Sequence, residues 1–158
     1  MVAWLAPPNC PGINTIYRGF PKIIPGNAFF DATQPGLLAG CVAIVNIVGE
    51  TEQRIAIGGP TSGQKRVDYI VEFQLKFRYA KPAGLGGDMG LDATDSFDQI
   101  IDNLKARIRL DRTAASAAIW QWGEGSLDGR YGELVEDIGG LICWASVSTT
   151  VTEWLTNT

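Results

Sequence analysis

The chain has 158 residues, of which 46% are hydrophobic and 19% charged, with a formal net charge of −4 and no histidine. The absence of histidine excludes imidazole bases and the commonest transition-metal ligand. A sequence pI of about 4.8 argues against a protein that binds nucleic acid tightly. No apolar run approaches the roughly 20 residues that span a membrane, and no signal peptide is predicted.

The length predicts a single domain over residues 1–158, because chains divide into domains mainly beyond about 250 residues. The charged fraction lies below the roughly 25% that is usual in soluble domains, which suggests that a partner covers part of the surface. Cys10, Cys41 and Cys143 are odd in number and lack C-x-x-C spacing. They predict reduced thiols in a cytosolic setting rather than a zinc site or a disulfide framework.

Residues 1–36 contain six of the eight prolines and four glycines, which discourages regular secondary structure. The same residues include too many large apolar side chains for a disordered tail. These side chains are Trp4, Ile16, Tyr17, Phe20, Ile23, Ile24, Phe29 and Phe30. We therefore expect an extended Pro-rich segment laid over a sheet or over a neighbouring subunit.

The first strand signals follow this segment. Residues 37–48 are almost wholly apolar and predict a strand buried on both faces. Residues 49–51 (Gly-Glu-Thr) predict a turn, residues 53–57 a short returning strand, and residues 58–63 a loop.

Residues 66–79 show the clearest pattern in the chain, because every second residue is apolar and those between are polar except Ile70. The apolar positions are Val67, Tyr69, Val71, Phe73, Leu75, Phe77 and Tyr79. Such alternation predicts a strand with one buried face. Fourteen residues would span about 46 Å, whereas a compact chain of this length is about 39 Å across. The strand therefore either bends at a bulge or projects and is covered by another chain.

A loop over residues 81–92 precedes a predicted helix with Asp92 as its N-cap. Acidic side chains lie near its start and basic ones near its end, as the helix dipole favours. One apolar stripe runs along it. The stripe consists of Phe97, Ile100, Ile101, Leu104 and Ile108.

The remaining residues predict strands at 117–122, 133–138 and 141–154, with a turn-rich stretch at 123–132. Three strands, one helix and three more strands imply an α+β fold. We expect a largely antiparallel mixed β-sheet packed against one principal α-helix, with a long strand or hairpin arm.

No segment of the chain has a residue pattern that indicates catalysis. The glycine-rich residues 84–90 lack the spacing of a phosphate-binding loop, and the aspartates after them would repel phosphate. The acidic stretch from Glu124 to Asp137 lacks calcium-loop spacing and is typical of a solvated edge. We predict no catalytic residue, no cofactor and no metal.

Six residues are candidates for a subunit or partner interface. Arg107, Arg109 and Arg112 surround the helix exit, where inter-subunit ion pairing and dipole complementarity are both favoured over DNA contact. Trp120 and Trp122 share one strand face. They are either core residues or an anchor between subunits. The sixth candidate is Glu124, in the acidic stretch that follows.

Three parts of the chain resemble one family. The first runs from Glu52 through the 58–63 loop into Lys65-Arg66-Val67-Asp68-Tyr69. The others are residues 97–113, from Phe97-Asp98-Gln99 to Asp111-Arg112-Thr113, and residues 120–125, Trp-Gln-Trp-Gly-Glu-Gly. Together they resemble tail terminator (tail completion or neck) proteins of long-tailed bacteriophages, particularly of actinobacterial phages, over about residues 40–155.

The resemblance implies a structural virion protein that forms a homohexameric ring on the tail tube, ends tube polymerisation and joins the tube to the head–tail connector. It implies as partners the major tail tube protein and the connector or head-closure protein, with DNA passing through the lumen without specific binding and no membrane. It further implies a location in the virion tail or neck, and in the host cytoplasm during assembly. Two alternatives stay open. One is a head-closure adaptor; the other is a monomeric ligand-binding α+β domain with residues 81–92 as a lid.

Overall fold

In the part of the chain that the structure describes, seven strands form one mixed sheet, and one long helix packs against it. The computed structural model describes residues 5, 9–30, 39–56, 63–80, 89–110, 120–122, 127–133, 135–137 and 140–157. In chain order the elements are β1 (Ile13–Arg18), a 3₁₀ helix (Gly26–Phe29), β2 (Ala39–Ala56), β3 (Gly63–Tyr79), α1 (Met89–Leu110), β4 (Trp120–Trp122), β5 (Asp128–Tyr131), β6 (Val135–Asp137) and β7 (Gly140–Asn157).

Three long strands make the centre of the sheet in the order β2-β3-β7, and both pairings among them are antiparallel. β1 adds to β2 in parallel at one side. At the other side, β4, β5 and β6 pair at successive places along β7, all antiparallel. This arrangement confirms the predicted α+β class, a largely antiparallel mixed sheet with one principal helix.

The apolar residues of β3 and the apolar stripe of α1 pack together in one core. Val71, Phe73, Leu75 and Phe77 are fully buried on the sheet face that α1 covers. The rings of Phe77 and Phe97 stack with their centroids 5.0 Å apart. All five stripe residues of the helix are buried in the same cluster, so both periodicities are confirmed.

The predicted turn at residues 49–51 is wrong, because β2 continues through it to Ala56. Ile47 pairs with Val71 and Gly49 with Ile70, which leaves Val48 as an extra residue in a β-bulge. A glycine within a strand commonly marks such a bulge, and pairing with β3 along the whole strand outweighs the turn propensity. The expected short strand at 53–57 is thus the far end of β2; residue 57 lies outside the described residues.

The helix begins at Met89, three residues before the predicted start. Asp92 therefore lies in the first turn, where its charge complements the dipole, and is not the N-cap. A side chain also bonds to the backbone in the first turns of the helix. Thr94 Oγ1 donates to the Gly90 carbonyl, four residues earlier, over 2.8 Å.

The stretch expected to be turns at 123–132 contains a strand, β5, which pairs with β7. The residues there favour turns, but they lie beside the edge of β7, a strand of eighteen residues. Its backbone N–H and C=O groups need hydrogen-bond partners, and the short segment beside it supplies them. The predicted strands at 117–122 and 133–138 are found as the shorter β4 and β6. Residues 117–119, 134 and 138 lie outside the described part.

The N-terminal segment is more regular than its prolines suggest, because residues 13–18 form β1. The segment then crosses the sheet face opposite α1, where Phe29 packs against Val42. Asn14 Nδ2 donates to the Phe29 carbonyl over 2.5 Å, and Thr15 Oγ1 to the Ala28 carbonyl over 2.8 Å. Since α1 covers the other face, residues 40–45 are buried on both sides, as predicted. The same prediction is wrong for Ile47 and Val48, which are exposed because β1 no longer pairs with β2 there.

We expect Gly40→Ala to lower the free energy of unfolding by about 1–3 kcal/mol, measured by urea denaturation. A Cβ at Gly40 would overlap the Phe29 carbonyl, so the segment over Val42 would have to shift. Gly49→Ala in the same strand is the matched control, because its Cβ would meet Ile70 Cδ1 at an ordinary 3.5 Å. Equal unfolding midpoints for the two variants would contradict this account of the packing.

Candidate assembly interface

The sheet extends well beyond the part that the helix covers. β3 has 17 residues and spans about 56 Å, longer than a compact globule of this size. We call residues 46–56 of β2, 63–70 of β3 and 151–157 of β7 the arm. Residues 50–55 of β2 are all exposed, whereas residues 40–45 of the same strand are all buried. The β2 side of the arm is therefore exposed to solvent, whereas Val67 of β3 and Val151 and Thr152 of β7 remain buried.

Polar contacts between neighbouring strands hold the arm together. Lys65 Nζ on β3 lies 2.6 Å from Glu52 Oε1 on β2. Thr152 Oγ1 on β7 donates to Asp68 Oδ1 on β3 over 2.6 Å, and Arg66 Nε donates to the same oxygen over 2.9 Å. These contacts join all three strands of the arm.

Tyr69 and Glu153 form a second link between β3 and β7. Tyr69 Oη donates to Glu153 Oε2 over 3.1 Å. Burial, the hydrogen bond to Glu153 and the negative charges of Glu153, Glu50 and Glu52 together raise the pKa of the Tyr69 phenol. A raised pKa favours the protonated phenol, which is the form that donates to Glu153.

The Asp68 carboxylate makes the stability of the arm dependent on pH. Burial opposes its ionisation, but hydrogen bonds from Thr152 and Arg66 and the Arg66 charge outweigh burial and lower the pKa of Asp68. A lowered pKa stabilises the fold above the unfolded-state pKa of about 3.9, and this contribution is lost as the pH falls through the folded-state value.

We expect Asp68→Asn to reduce the free energy of unfolding at pH 7 by no more than about 1 kcal/mol, since the site is partly exposed. The difference from the parent protein should shrink as the pH falls below about 4, in urea unfolding series at several pH values. Thr152→Val removes one of the same hydrogen bonds and should reproduce part of the effect. A difference that grows toward acid pH would contradict the assignment.

Among the residues that the structure describes, the outer edge of β2 is open along the arm. β1 pairs with β2 only from Cys41 to Val45. From Asn46 to Ala56, no strand among the described residues pairs with that side of β2. The edge begins at Asn46, whose buried Nδ2 has no hydrogen-bond partner within the described chain. An unpaired row of backbone N–H and C=O groups is a template for adding a further strand.

Large apolar side chains are exposed around this edge. Ile47 and Val48, at the base of the arm, are 55% and 57% exposed. Phe20 and Ile23, in the loop after β1, are 68% and 78% exposed. Farther along the arm the exposed set continues with Ile55, Ile70, Trp154 and Leu155. Apolar surface of this kind on a folded chain marks an interaction site.

The structure places some of the six interface residues predicted from sequence. Arg107 and Arg109 lie in the last turn of α1, where Arg107 is half-buried and Arg109 is exposed. Trp120 and Trp122 lie in β4, opposite Glu153 and Val151 of β7. Arg112 and Glu124 lie outside the described residues, as do residues 81–88 of the predicted loop.

Sequence reasoning missed Phe20, Ile23, Ile47 and Val48. Their apolar character was visible, but their exposure depends on where β1 stops pairing and on the bulge at Val48. The one available signal was Ile70, which interrupts the polar positions of β3 and is 46% exposed on the face away from α1.

The three cysteines are free and buried. Burial raises the pKa of Cys10, although the nearby Arg107 charge lowers it in part. Burial likewise raises the pKa of Cys41 and of Cys143. All three thiols are thus protonated and shielded, and act as small core side chains.

Within the described ranges, no group of three or more His, Cys, Asp or Glu side chains is placed to hold a metal ion. Among the same residues, α1 is too polar to cross a membrane, and no other helix is long enough. Comparison with protein-family models and with curated proteins finds no match to this chain.

Proposed function

We propose that the chain is a phage tail terminator subunit. Six copies form a ring that caps the tail tube, ends its polymerisation and joins it to the head–tail connector, while DNA passes through the lumen. The sequence resemblance over residues 40–155 supports the particular role. The open edge of β2 on a projecting arm is the structural observation that carries the proposal.

The arm supports self-assembly for a physical reason. A sheet edge of eleven residues exposes backbone groups that gain hydrogen bonds when another strand adds to them. The apolar side chains beside that edge gain from removal from water at about 25 cal/mol per Å². Neighbouring subunits supply both kinds of contact at once, and a closed ring leaves none of its interfaces unused.

The charge of the chain suits a conduit for DNA. Six copies at −4 each would carry a formal charge of −24. A negative lumen repels the phosphate backbone and lets DNA slide without binding. A lumen lined mainly by lysine and arginine would contradict this part of the proposal.

End-on electron microscopy of tail tubes tests the proposal. Tubes of the matching phage, incubated with the purified chain, should gain a sixfold ring at one end and stop growing there. Tubes incubated without the chain are the control. Light scattering should give about 102 kDa for a free ring of six 17.0-kDa subunits. Tubes that gain no density and keep growing would overturn the assignment.

A further inference from the structure

The loop after β1 presents an exposed surface that is both basic and apolar. We call Arg18, Phe20, Lys22 and Ile23 the basic corner; all four side chains are exposed. Neither Arg18 nor Lys22 forms an ion pair with any other described residue. Two cations with no ion-pair partner among the described residues, beside two exposed apolar side chains, favour an acidic partner surface with some apolar area.

The basic corner lies at the base of the arm. Gly19, between Arg18 and Phe20, donates its N–H to the Val45 carbonyl over 3.0 Å, at the last β2 residue that pairs with β1. The exposed Ile47 and Val48 follow directly on β2. The loop thus adjoins the start of the open edge, and a partner bound there would touch both.

The outer face of α1 is acidic and includes an exposed apolar side chain, so it complements the basic corner. Four exposed aspartates lie within its first fourteen residues: Asp92, Asp95, Asp98 and Asp102. They spread over ten residues, or about 15 Å. None of the four forms an ion pair with another residue in the described part of the chain. Leu91, which is 59% exposed, lies one turn before Asp95 on the same side.

We propose that the basic corner of one copy docks on the outer face of α1 of a second copy. Arg18 and Lys22 pair with the aspartates, and Phe20 and Ile23 pack against the helix surface near Leu91. The two patches differ, so each copy offers one of each and the contact repeats from copy to copy. The inference rests on the self-assembly in the proposed function and assigns its subunit contact.

Reciprocal charge reversal tests this contact. One variant carries Arg18→Glu and Lys22→Glu; the other carries Asp95→Lys, Asp98→Lys and Asp102→Lys, which leaves Asp92 as the one aspartate of the four on that face. Each variant alone should lose assembly at low ionic strength, because its corner and its helix then carry like charges. An equimolar mixture should regain it, since every contact in an alternating assembly pairs opposite charges. Asp92 is left unchanged because it supports the helix start.

The matched control for the Arg18→Glu and Lys22→Glu variant is Lys76→Glu with Arg130→Glu, which makes the same change in net charge at exposed positions of β3 and β5. This control should assemble like the parent chain. Circular dichroism and urea unfolding should show every variant folded, and light scattering should report the assembly.

Loss in both variants and recovery in the mixture supports the inference. Three results would overturn it: unchanged assembly of either variant, no recovery in the mixture, or a parent chain that stays monomeric at its highest soluble concentration. Recovery with no affinity for tail tubes would overturn the proposed phage role while leaving this contact in place. If both variants still form a ring on tail tubes, this contact is overturned while the proposed phage role stays in place.

Discussion

Phe73→Asp is expected to abolish folding. Phe73 is fully buried, pairs with Val45 and Val147 on its two neighbouring strands, and belongs to the core beneath α1. A carboxylate there would lose its hydration without a partner, at a cost of several kcal/mol, against a total stability of roughly 5–15 kcal/mol. Urea unfolding followed by circular dichroism should show no cooperative transition.

Lys76→Asp is the control for this prediction, because Lys76 is on the same strand but exposed on the other face. It should keep a cooperative transition near that of the parent chain. A soluble, cooperatively folded Phe73→Asp variant would mean that the two faces of β3 are assigned the wrong way round.

The double variant Ile47→Lys/Val48→Lys is expected to remain folded and to fail to assemble. Both side chains are more than half exposed, so the substitutions change little in the isolated chain. At an interface beside the open edge of β2, the two ammonium groups would be desolvated without partners. We expect at least a hundredfold loss of assembly affinity, equivalent to about 2.7 kcal/mol, measured by sedimentation across a concentration series.

Val135→Lys controls for a new lysine at an exposed apolar position, since Val135 is 57% exposed on β6 at the other side of the sheet. It should leave assembly through the arm unchanged. Unaltered assembly of the Ile47→Lys/Val48→Lys variant would remove the base of the arm from the interface.

The core of this fold could be predicted from sequence because periodicity reports burial directly. The stripe from Phe97 to Ile108 has the spacing of one helix face, and the alternation in β3 has the spacing of one strand face. Both patterns depend only on which side faces the helix–sheet interface. They therefore survive errors of a few residues at the ends of elements, such as the start of α1 at Met89.

Other features depend on tertiary pairing and are not visible locally. Gly49 belongs to a bulge only because β3 continues opposite it, and β1 is a strand only because β2 lies beside it. The candidate interface follows from these same pairings. The exposure of Phe20 and Ile47 is set by the point where β1 ends, whereas Arg107 and Arg109 could be placed at the helix end from charge alone.

Hydrogen–deuterium exchange of the β2 amides is the most direct test of whether this chain completes its sheet against copies of itself. In the dilute isolated chain, outward-facing amides between residues 46 and 56 should exchange fast, while those of residues 71–77 in β3 exchange slowly. Assembly should slow the outward-facing β2 amides and leave β3 unchanged. Slow exchange of that edge in the isolated chain, or fast exchange after assembly, would contradict the account.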